Sequence, residues 1–224
     1  MRKITCTLLL LMGGIAALAN VHPIKSPDGK LCVNVEEENG MLTYSIEYEG
    51  KKMMLPSLLG LKSDIGDYTC GLKVTDVRKR KVAYSYSMAG TKASSRNYEA
   101  NAVDFVVSSS GAERLMTLEF QVSNNDIAYR YHLEGAKTND QDEPRRTTIL
   151  AEVSGFKFPE NTTTFMCPQI DGDHKGWMST KPSYEEEYKA DAPMAEKSKY
   201  GKGYTFPCLF HIGDDGWGLV SETG

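Results

Sequence analysis

The sequence predicts an all-β domain built as an antiparallel sandwich. Short stretches of alternating apolar and polar residues recur along the chain, and most are rich in β-branched or aromatic side chains. Turn-forming residues separate these stretches; Asn39-Gly40, for example, is a strong signal for a two-residue β-hairpin. No stretch shows a sustained helical period. Strands at this spacing, with such turns between them, favour an antiparallel sandwich over parallel βαβ units.

The strands are predicted in order along the chain, each ending at Gly, Asn, Ser or a charged turn. They cover residues 31–35, 42–48, 70–77, 81–88, 102–108, 115–122, 127–133, 147–153, 204–212 and 217–221. The last two form a hairpin around the Asp- and Gly-rich turn 213–216. Two polar stretches, 137–146 and 171–200, are predicted loops, and loops of that length are often functional.

The first nineteen residues have the pattern of a secretory signal peptide. A basic start, Arg2-Lys3, precedes an apolar run from Leu8 to Ala19, which ends in the small-residue cleavage pattern Ala17-Leu18-Ala19. The run is short for a membrane span. We therefore expect residues 1–19 to be a signal peptide and residues 20–224 to be one exported, periplasmic β-domain with no membrane insertion after cleavage.

The charge balance limits the classes of partner. Without residues 1–19 the chain has 24 basic and 30 acidic residues, a net charge of −6. An acidic domain is not expected to bind nucleic acid or anionic membrane surfaces. The remaining residues, about 200, are enough for one sizeable hydrophobic core.

Four cysteines lie outside the signal peptide: Cys32, Cys70, Cys167 and Cys208. An oxidising compartment permits disulfides, and four cysteines allow three pairings. Cys32 and Cys208 fall within predicted strands, where a buried free thiol is an ordinary core residue. No C-x-x-C spacing is present, so structural zinc and thioredoxin-type chemistry are not expected.

Two local motifs and two histidines are considered as candidate functional residues. Tyr129 and Tyr131 share one face of a predicted strand, and Arg130 points the other way, where we expect it to be buried and paired with a carboxylate such as Glu152. Asp171-Gly-Asp-His-Lys-Gly-Trp177 resembles a metal or sugar loop but lacks the other ligands of an EF-hand, which favours a solvated turn. His132 and His211 fall within strands and are expected to be structural.

A set of short segments, in a fixed order, points to a family. They are Ser26-Pro-Asp-Gly-Lys30, Leu42-Thr-Tyr-Ser-Ile46, Leu55-Pro-Ser57, Leu59-Gly-Leu61, Arg96-Asn-Tyr-Glu99, Asp126-Ile-Ala-Tyr-Arg-Tyr131, Glu152 with Phe156, Tyr184-Glu185 with Tyr188, Thr205-Phe-Pro207 and Ser221-Glu222. Together they resemble the N-terminal domain of glycoside hydrolase family 97, exported enzymes of glycan-degrading bacteria. The resemblance covers nearly all of the chain after the signal peptide.

The resemblance implies a β-super-sandwich akin to galactose mutarotase-like folds, followed in the family by a catalytic (β/α)8 barrel that this chain lacks. It also implies hydrolysis of α-glucosides or α-galactosides by the barrel, with no catalytic acid or base in this domain. A calcium ion lies at the family's active site, and Glu222 is the position here that matches its ligand from the N-terminal domain. The expected partners are an oligosaccharide substrate and the barrel. The substrate-binding residues, the sugar and the stereochemical outcome stay open.

Two other functions remain open at this point. The chain could be a stand-alone carbohydrate-binding β-sandwich, which would bind oligosaccharides by itself. It could also be a mutarotase-like enzyme, which would need a glutamate base facing a histidine acid in one cleft. The latter rests only on a related fold, and fold analogy does not carry function.

Overall fold

The computed structural model describes residues 20–133, 147–169 and 187–222, and these residues form fourteen β-strands and no helix. The predicted all-β antiparallel fold is confirmed. The strands are β1 Asn20–Lys25, β2 Leu31–Glu38, β3 Met41–Tyr48, β4 Lys51–Leu59, β5 Leu61–Ser63, β6 Gly66–Ser87, β7 Ser95–Ala112, β8 Met116–Val122, β9 Ile127–Leu133, β10 Ile149–Glu152, β11 Thr162–Pro168, β12 Lys189–Pro193, β13 Tyr204–Ile212 and β14 Gly216–Val220. No described segment is a helix suited to crossing a lipid bilayer.

The strands form three antiparallel sheets. The first sheet has the order β1-β2-β3-β4, the second β10-β5-β6-β7-β8-β9, and the third β12-β11-β13-β14. Most strands pair with a strand that directly precedes or follows them in the chain, as expected for sheets connected by hairpins. The signal peptide predicted for residues 1–19 lies outside the described residues.

The main core lies where the first and second sheets face each other. Alternation places Leu31, Val33 and Val35 of β2 on the buried face, while the residues between them are partly exposed. Phe105 and Phe120 come from the opposite sheet, and their rings meet edge to face with centroids 6.4 Å apart. These buried side chains belong to one hydrophobic cluster.

The third sheet joins this core through aromatic stacking. Phe158, in the segment between β10 and β11, stacks on Phe210 of β13 with ring centroids 4.1 Å apart. Ile212 lies on the same face and is 1% exposed, and all three belong to the buried cluster that contains Phe105 and Phe120. The third sheet therefore has one buried face and one outer face.

Several strand predictions need correction. The segments 70–77 and 81–88 form one long strand, β6, because the residues between them are charged but contain no turn former. β1 and β4 were not predicted, and each contains a proline, a residue that argues against a central strand. Both lie at the edges of the first sheet, where Pro23 and Pro56 are tolerated. β11 was also not predicted, and β12 lies within the predicted loop 171–200.

The predicted hairpin at Asn39-Gly40 is confirmed. Both residues have positive φ, 53° and 73°, as a turn of this type requires, and the flanking residues Glu38 and Met41 are paired across β2 and β3. This turn fixes the register of the two strands, and thereby places Val33 and Val35 on the core side.

Candidate functional site

Glu222 lies just after β14, the edge strand of the third sheet, and is exposed. β14 runs antiparallel to β13 and pairs with it as far as Val220 opposite Cys208. Gln169, which follows β11, lies at the same end of the sheet, and so does the start of β12. Glu222 forms no hydrogen bond or ion pair with another described residue, so its carboxylate oxygens are available to an external ligand.

A carboxylate in this position fits one ligand of a calcium site, because calcium prefers hard oxygen donors drawn from separate segments. The described ranges contain no group of three or more His, Cys, Asp or Glu residues that could hold a metal. Glu222 could therefore supply one ligand of a larger set. The other acidic candidates, Asp171 and Asp173, lie outside the described residues, as do Trp177, Tyr184 and Glu185.

The outer face of the third sheet presents an aromatic platform. Trp217 of β14 is 55% exposed and stacks almost parallel on His211 of β13, with ring centroids 4.1 Å apart. His211 Nδ1 lies 3.3 Å from Asp191 Oδ1, and the Thr163 hydroxyl donates to the same oxygen at 2.9 Å. The hydrogen bonds from Thr163 and His211 lower the pKa of Asp191. The platform combines an exposed indole with fixed polar neighbours, an arrangement able to contact a sugar ring.

A second aromatic surface lies on the hairpin formed by β6 and β7, which extends beyond the end of β8. Tyr84 is paired with Tyr98 across the hairpin, their ring centroids are 5.1 Å apart, and Tyr86 continues the same face. A cavity of about 370 Å³, here named the hairpin cleft, lies between this hairpin and the turn after β8. It is lined by Tyr86, Arg96, Asn97, Tyr98, Glu99, Ser123, Asn124, Asn125 and Asp126.

Arg130 has a different partner from the one predicted. It lies on the outer face of β9 with its side chain 64% exposed, and its Nε donates to Glu119 rather than to Glu152. The register explains the difference, because Arg130 is directly opposite Glu119 of β8. Glu152 lies on β10, at the other edge of the same sheet. His132 and Arg80 also contact Glu119.

The two tyrosines that flank Arg130 point into the core, as the alternation predicts. The Tyr131 hydroxyl accepts a hydrogen bond from the Gly60 backbone N–H at 2.9 Å and lies 2.6 Å from Ser154 Oγ. Tyr129 packs between Tyr44 and Tyr131. These residues connect the sheets and have a structural role rather than a binding one.

The hairpin cleft and the Glu119 cluster were not identified from the sequence. Both depend on side chains that come together across strands, so no short motif marks them. The sequence contains one weak signal for Glu119. Its neighbours Leu118 and Phe120 face the core, so Glu119 lies on the other face of an apolar strand, where a buried acid needs a polar partner.

Comparison with known proteins identifies the domain. A family model described as "Glycosyl-hydrolase 97 N-terminal" matches residues 24–224. The structure of a β-arabinopyranosidase superimposes with a TM-score of 0.81 and 45% sequence identity, over 91% of this chain and 31% of that chain. A probable retaining α-galactosidase from Streptomyces bingchenggensis (strain BCW-1) is 27% identical over 134 residues, which are 60% of this chain and 20% of the relative.

A more distant structure shares the fold. A family 97 enzyme from Pseudoalteromonas sp. strain K8, solved in complex with panose, has a TM-score of 0.57 and 17% identity over 66% of this chain and 22% of that chain. In each comparison the chain spans less than a third of the relative. Because the family model matches almost the whole of this chain, the chain belongs to glycoside hydrolase family 97, and it corresponds to the N-terminal domain of that family.

Proposed function

We propose that this domain is part of an exported, calcium-dependent glycosidase, in which it packs on a catalytic (β/α)8 barrel and supplies one calcium ligand, Glu222. The observation that carries the proposal is the exposed carboxylate just after the edge strand of a packed sheet, which has no partner among the described residues. The preceding strand β14, Gly216–Val220, holds the backbone before Glu222 in a fixed direction. A carboxylate so placed can reach across a domain interface.

Within this proposal each part of the chain has a limited role. Glu222 would hold the metal, the third sheet would position Glu222, and the barrel would supply the remaining ligands and the two carboxyl groups that glycoside hydrolysis requires. When bound, calcium supplies a positive charge that orients sugar hydroxyls and neighbouring carboxylates. This domain by itself is then expected to be inactive as a hydrolase.

The substrate proposed for the whole enzyme is an α-galactoside or a β-arabinopyranoside, with an α-glucoside as the alternative. Two relatives support the first choice, since one is named a β-arabinopyranosidase and the other a probable α-galactosidase. L-Arabinopyranose has the ring configuration of D-galactopyranose without the hydroxymethyl group. The panose complex comes from a relative at 17% identity, which supports the fold alone.

A chimera tests the calcium role. The matching N-terminal part of the β-arabinopyranosidase is replaced by residues 20–224 of this chain, and hydrolysis of nitrophenyl glycosides is measured with EGTA and with added calcium. We expect activity that EGTA removes and calcium restores, and Glu222→Gln should require at least tenfold more calcium. Glu38→Gln, at the end of β2, is the matched control with no expected effect. An unchanged calcium requirement in Glu222→Gln would exclude this residue as a ligand.

Export is tested separately. The full chain is expressed with its own N-terminus in a Gram-negative host, and the periplasmic fraction is analysed by intact mass. We expect a product that begins at Asn20. A full-length product retained in the cytoplasm would contradict export.

A second candidate function is carbohydrate binding by the domain itself, and the hairpin cleft favours it. Exposed Tyr86 and half-buried Tyr98 offer flat apolar faces, and Asn125 with Asn97 adds amide groups that can bond sugar hydroxyls. Within the described part of the chain, neither Arg96 nor Glu99 forms an ion pair. These groups could therefore exchange water for a neutral sugar without breaking a salt bridge.

Calorimetric titration of the 224-residue chain with galactosides, arabinosides and maltooligosaccharides tests this second function. We expect measurable heats that disappear in Tyr86→Ala if the cleft is the site. Trp217→Ala is the comparison, because it removes the aromatic platform on the third sheet and leaves the cleft intact. Flat heats for the wild-type chain would reject binding by the isolated domain.

A further inference from the structure

A cavity of about 490 Å³ lies between β1 and the hairpin formed by β6 and β7. Its volume is within the range of about 300–1,000 Å³ that is typical of small-molecule sites. The buried side chains of Ile24 and Val103 give it an apolar floor. The described residues that line this cavity, here named the lysine cleft, include no acid and three exposed lysines: Lys25, Lys79 and Lys81.

Two of these lysines belong to a run of four consecutive cations, residues 78–81 of β6. Residues that are directly opposite each other on paired strands share one face of the sheet. Lys79 is paired with Val103, and Lys81 with Asn101. Because Val103 belongs to the buried core cluster, both lysines lie on the core side of the second sheet.

The two arginines of the run differ from the lysines in having acidic partners. Arg78 Nε donates to Asp76 at 2.8 Å. Arg80 contacts Asp104 and Glu119 on the outer face of the sheet. The three lysines of the cleft form no ion pair with another described residue. Although the domain is acidic overall, charges are screened over about 8 Å at physiological ionic strength, so these lysines dominate the potential in the cleft.

Asn101 fixes the position of the cleft walls. Its Nδ2 donates to the backbone oxygen of Lys25 at 2.8 Å, which ties β1 to β7. Its Oδ1 forms no hydrogen bond with another described residue, so it can accept one from a ligand hydroxyl. The lysine cleft therefore combines cationic donors, a neutral acceptor and an apolar floor in one cavity.

We propose that the lysine cleft binds an acidic sugar, a hexuronate unit of a glycan. The lysine ammonium groups bind the carboxylate, Asn101 accepts from a ring hydroxyl, and the apolar floor contacts the C–H face of the pyranose ring. A sugar acid is favoured over other anions because the chain belongs to a family of glycoside hydrolases. The cleft shares no residue with the hairpin cleft or Glu222, and the proposal does not depend on calcium binding or hydrolysis.

The lysines also lie where they could protect a sheet edge. In the described part of the chain, β5 pairs with β6 only at residues 66 and 67, so Lys79 and Lys81 lie along an open edge. Lysine at such an edge discourages pairing with another chain. That role requires neither a shared cavity nor the acceptor on Asn101, and it predicts no affinity for a sugar acid.

A nuclear magnetic resonance titration tests the proposal. The isotope-labelled 224-residue chain is titrated with a trimer of galacturonic acid in EDTA, so that calcium cannot bridge the uronate to the carboxylates of the protein. We expect a Kd on the order of a millimolar, with amide shifts centred on residues 79–81 and 101–103. A wild-type chain that shows no shifts, or shifts elsewhere, would overturn the proposal and leave edge protection as the role of the lysines.

Paired substitutions locate the charges that matter. Lys79→Gln combined with Lys81→Gln should weaken binding at least about fivefold, since two exposed charge contacts are lost. Lys52→Gln combined with Lys157→Gln makes the same change in net charge at exposed lysines outside the cleft and should leave the affinity unchanged. Circular dichroism confirms that each variant is folded. Equal weakening in both double variants, or none in the cleft variant, would contradict a site in the cleft.

Two further probes identify the class of ligand. A neutral trimer of galactose should bind at least about tenfold more weakly than the acidic trimer, because it lacks the carboxylates. Sodium sulfate, compared with sodium chloride at equal ionic strength, should not displace the acidic trimer. Equal affinity for the neutral trimer would show that the carboxylate is not recognised. Displacement by sulfate would show a general anion site rather than one for a sugar acid.

Discussion

Arg130 on β9 lies directly opposite Glu119 on β8, and its Nε donates to the Glu119 carboxylate at 2.6 Å. Arg80 and His132 contact the same carboxylate, so the Glu119 side chain is only 4% exposed although it lies on the outer face of the sheet. Burial alone would raise the pKa of Glu119. Hydrogen bonds from Gln121, Arg130, His132 and Arg80 outweigh that effect and lower its pKa to about 2.

The lowered pKa makes stability depend on pH. A carboxyl whose folded pKa is depressed stabilises the fold above its unfolded pKa, and this contribution is lost as the pH falls from about 4.5 towards 2. We expect Glu119→Gln to reduce the free energy of unfolding at pH 7 by on the order of 3 kcal/mol. The difference from wild type should shrink on acidification. Urea unfolding from pH 7 to pH 2.5 measures it, with exposed Glu99→Gln as control; a pH-independent difference would contradict the assignment.

Gly60 lies between β4 and β5 in a conformation that only glycine adopts easily. Its φ is +143°, and a Cβ atom added there would lie 2.4 Å from the backbone oxygen of Tyr68. We expect Gly60→Ala to cost at least about 3 kcal/mol, because backbone atoms must move. Gly50→Ala is the control, since its φ is +81° but no atom lies within 4 Å, and it should cost about 1 kcal/mol. Equal losses in denaturant unfolding would show that the contact with Tyr68 is unimportant.

Phe105 is fully buried between the first two sheets. We expect Phe105→Ala to lower the free energy of unfolding by about 3–5 kcal/mol, through lost burial and the cavity left behind. Phe206, which is 41% exposed on β13, provides the comparison, and its replacement by alanine should cost well under half as much. Chemical denaturation followed by circular dichroism measures both. A small loss at Phe105 would mean that the two sheets do not share the core described here.

The Tyr131 hydroxyl links three segments through Gly60 and Ser154. Tyr131→Phe keeps the ring and removes the oxygen, which leaves the Gly60 N–H without its acceptor. We expect a loss of about 1–3 kcal/mol in the free energy of unfolding. Tyr84→Phe, at an exposed hydroxyl, should be neutral. The expected signature in hydrogen exchange is faster exchange at Gly60 in Tyr131→Phe, and unchanged protection there would contradict the hydrogen bond.

The fold class and several strands could be predicted because alternation and turn residues are local properties. The strand pair joined at Asn39-Gly40 is an example, since its turn chemistry lies in two adjacent residues. β1 and β4 escaped prediction because a proline at a sheet edge cannot be told from a strand breaker until the sheet order is known. The Arg130 partner was predicted wrongly for the same kind of reason. Glu119 becomes the neighbour of Arg130 only once the register of β8 and β9 is fixed.

The order of strands in the first two sheets also bears on how the domain assembles. β1 to β4 are paired in chain order, and so are β5 to β9, so most of their hydrogen bonds join residues separated by a single turn. Closing such short loops costs little entropy, and each hairpin series can begin to form without the other. The buried aromatic contacts between Tyr44, Phe105 and Phe120 form only when the two sheets meet. We therefore expect the meeting of preformed hairpin series, rather than strand pairing within them, to limit the folding rate.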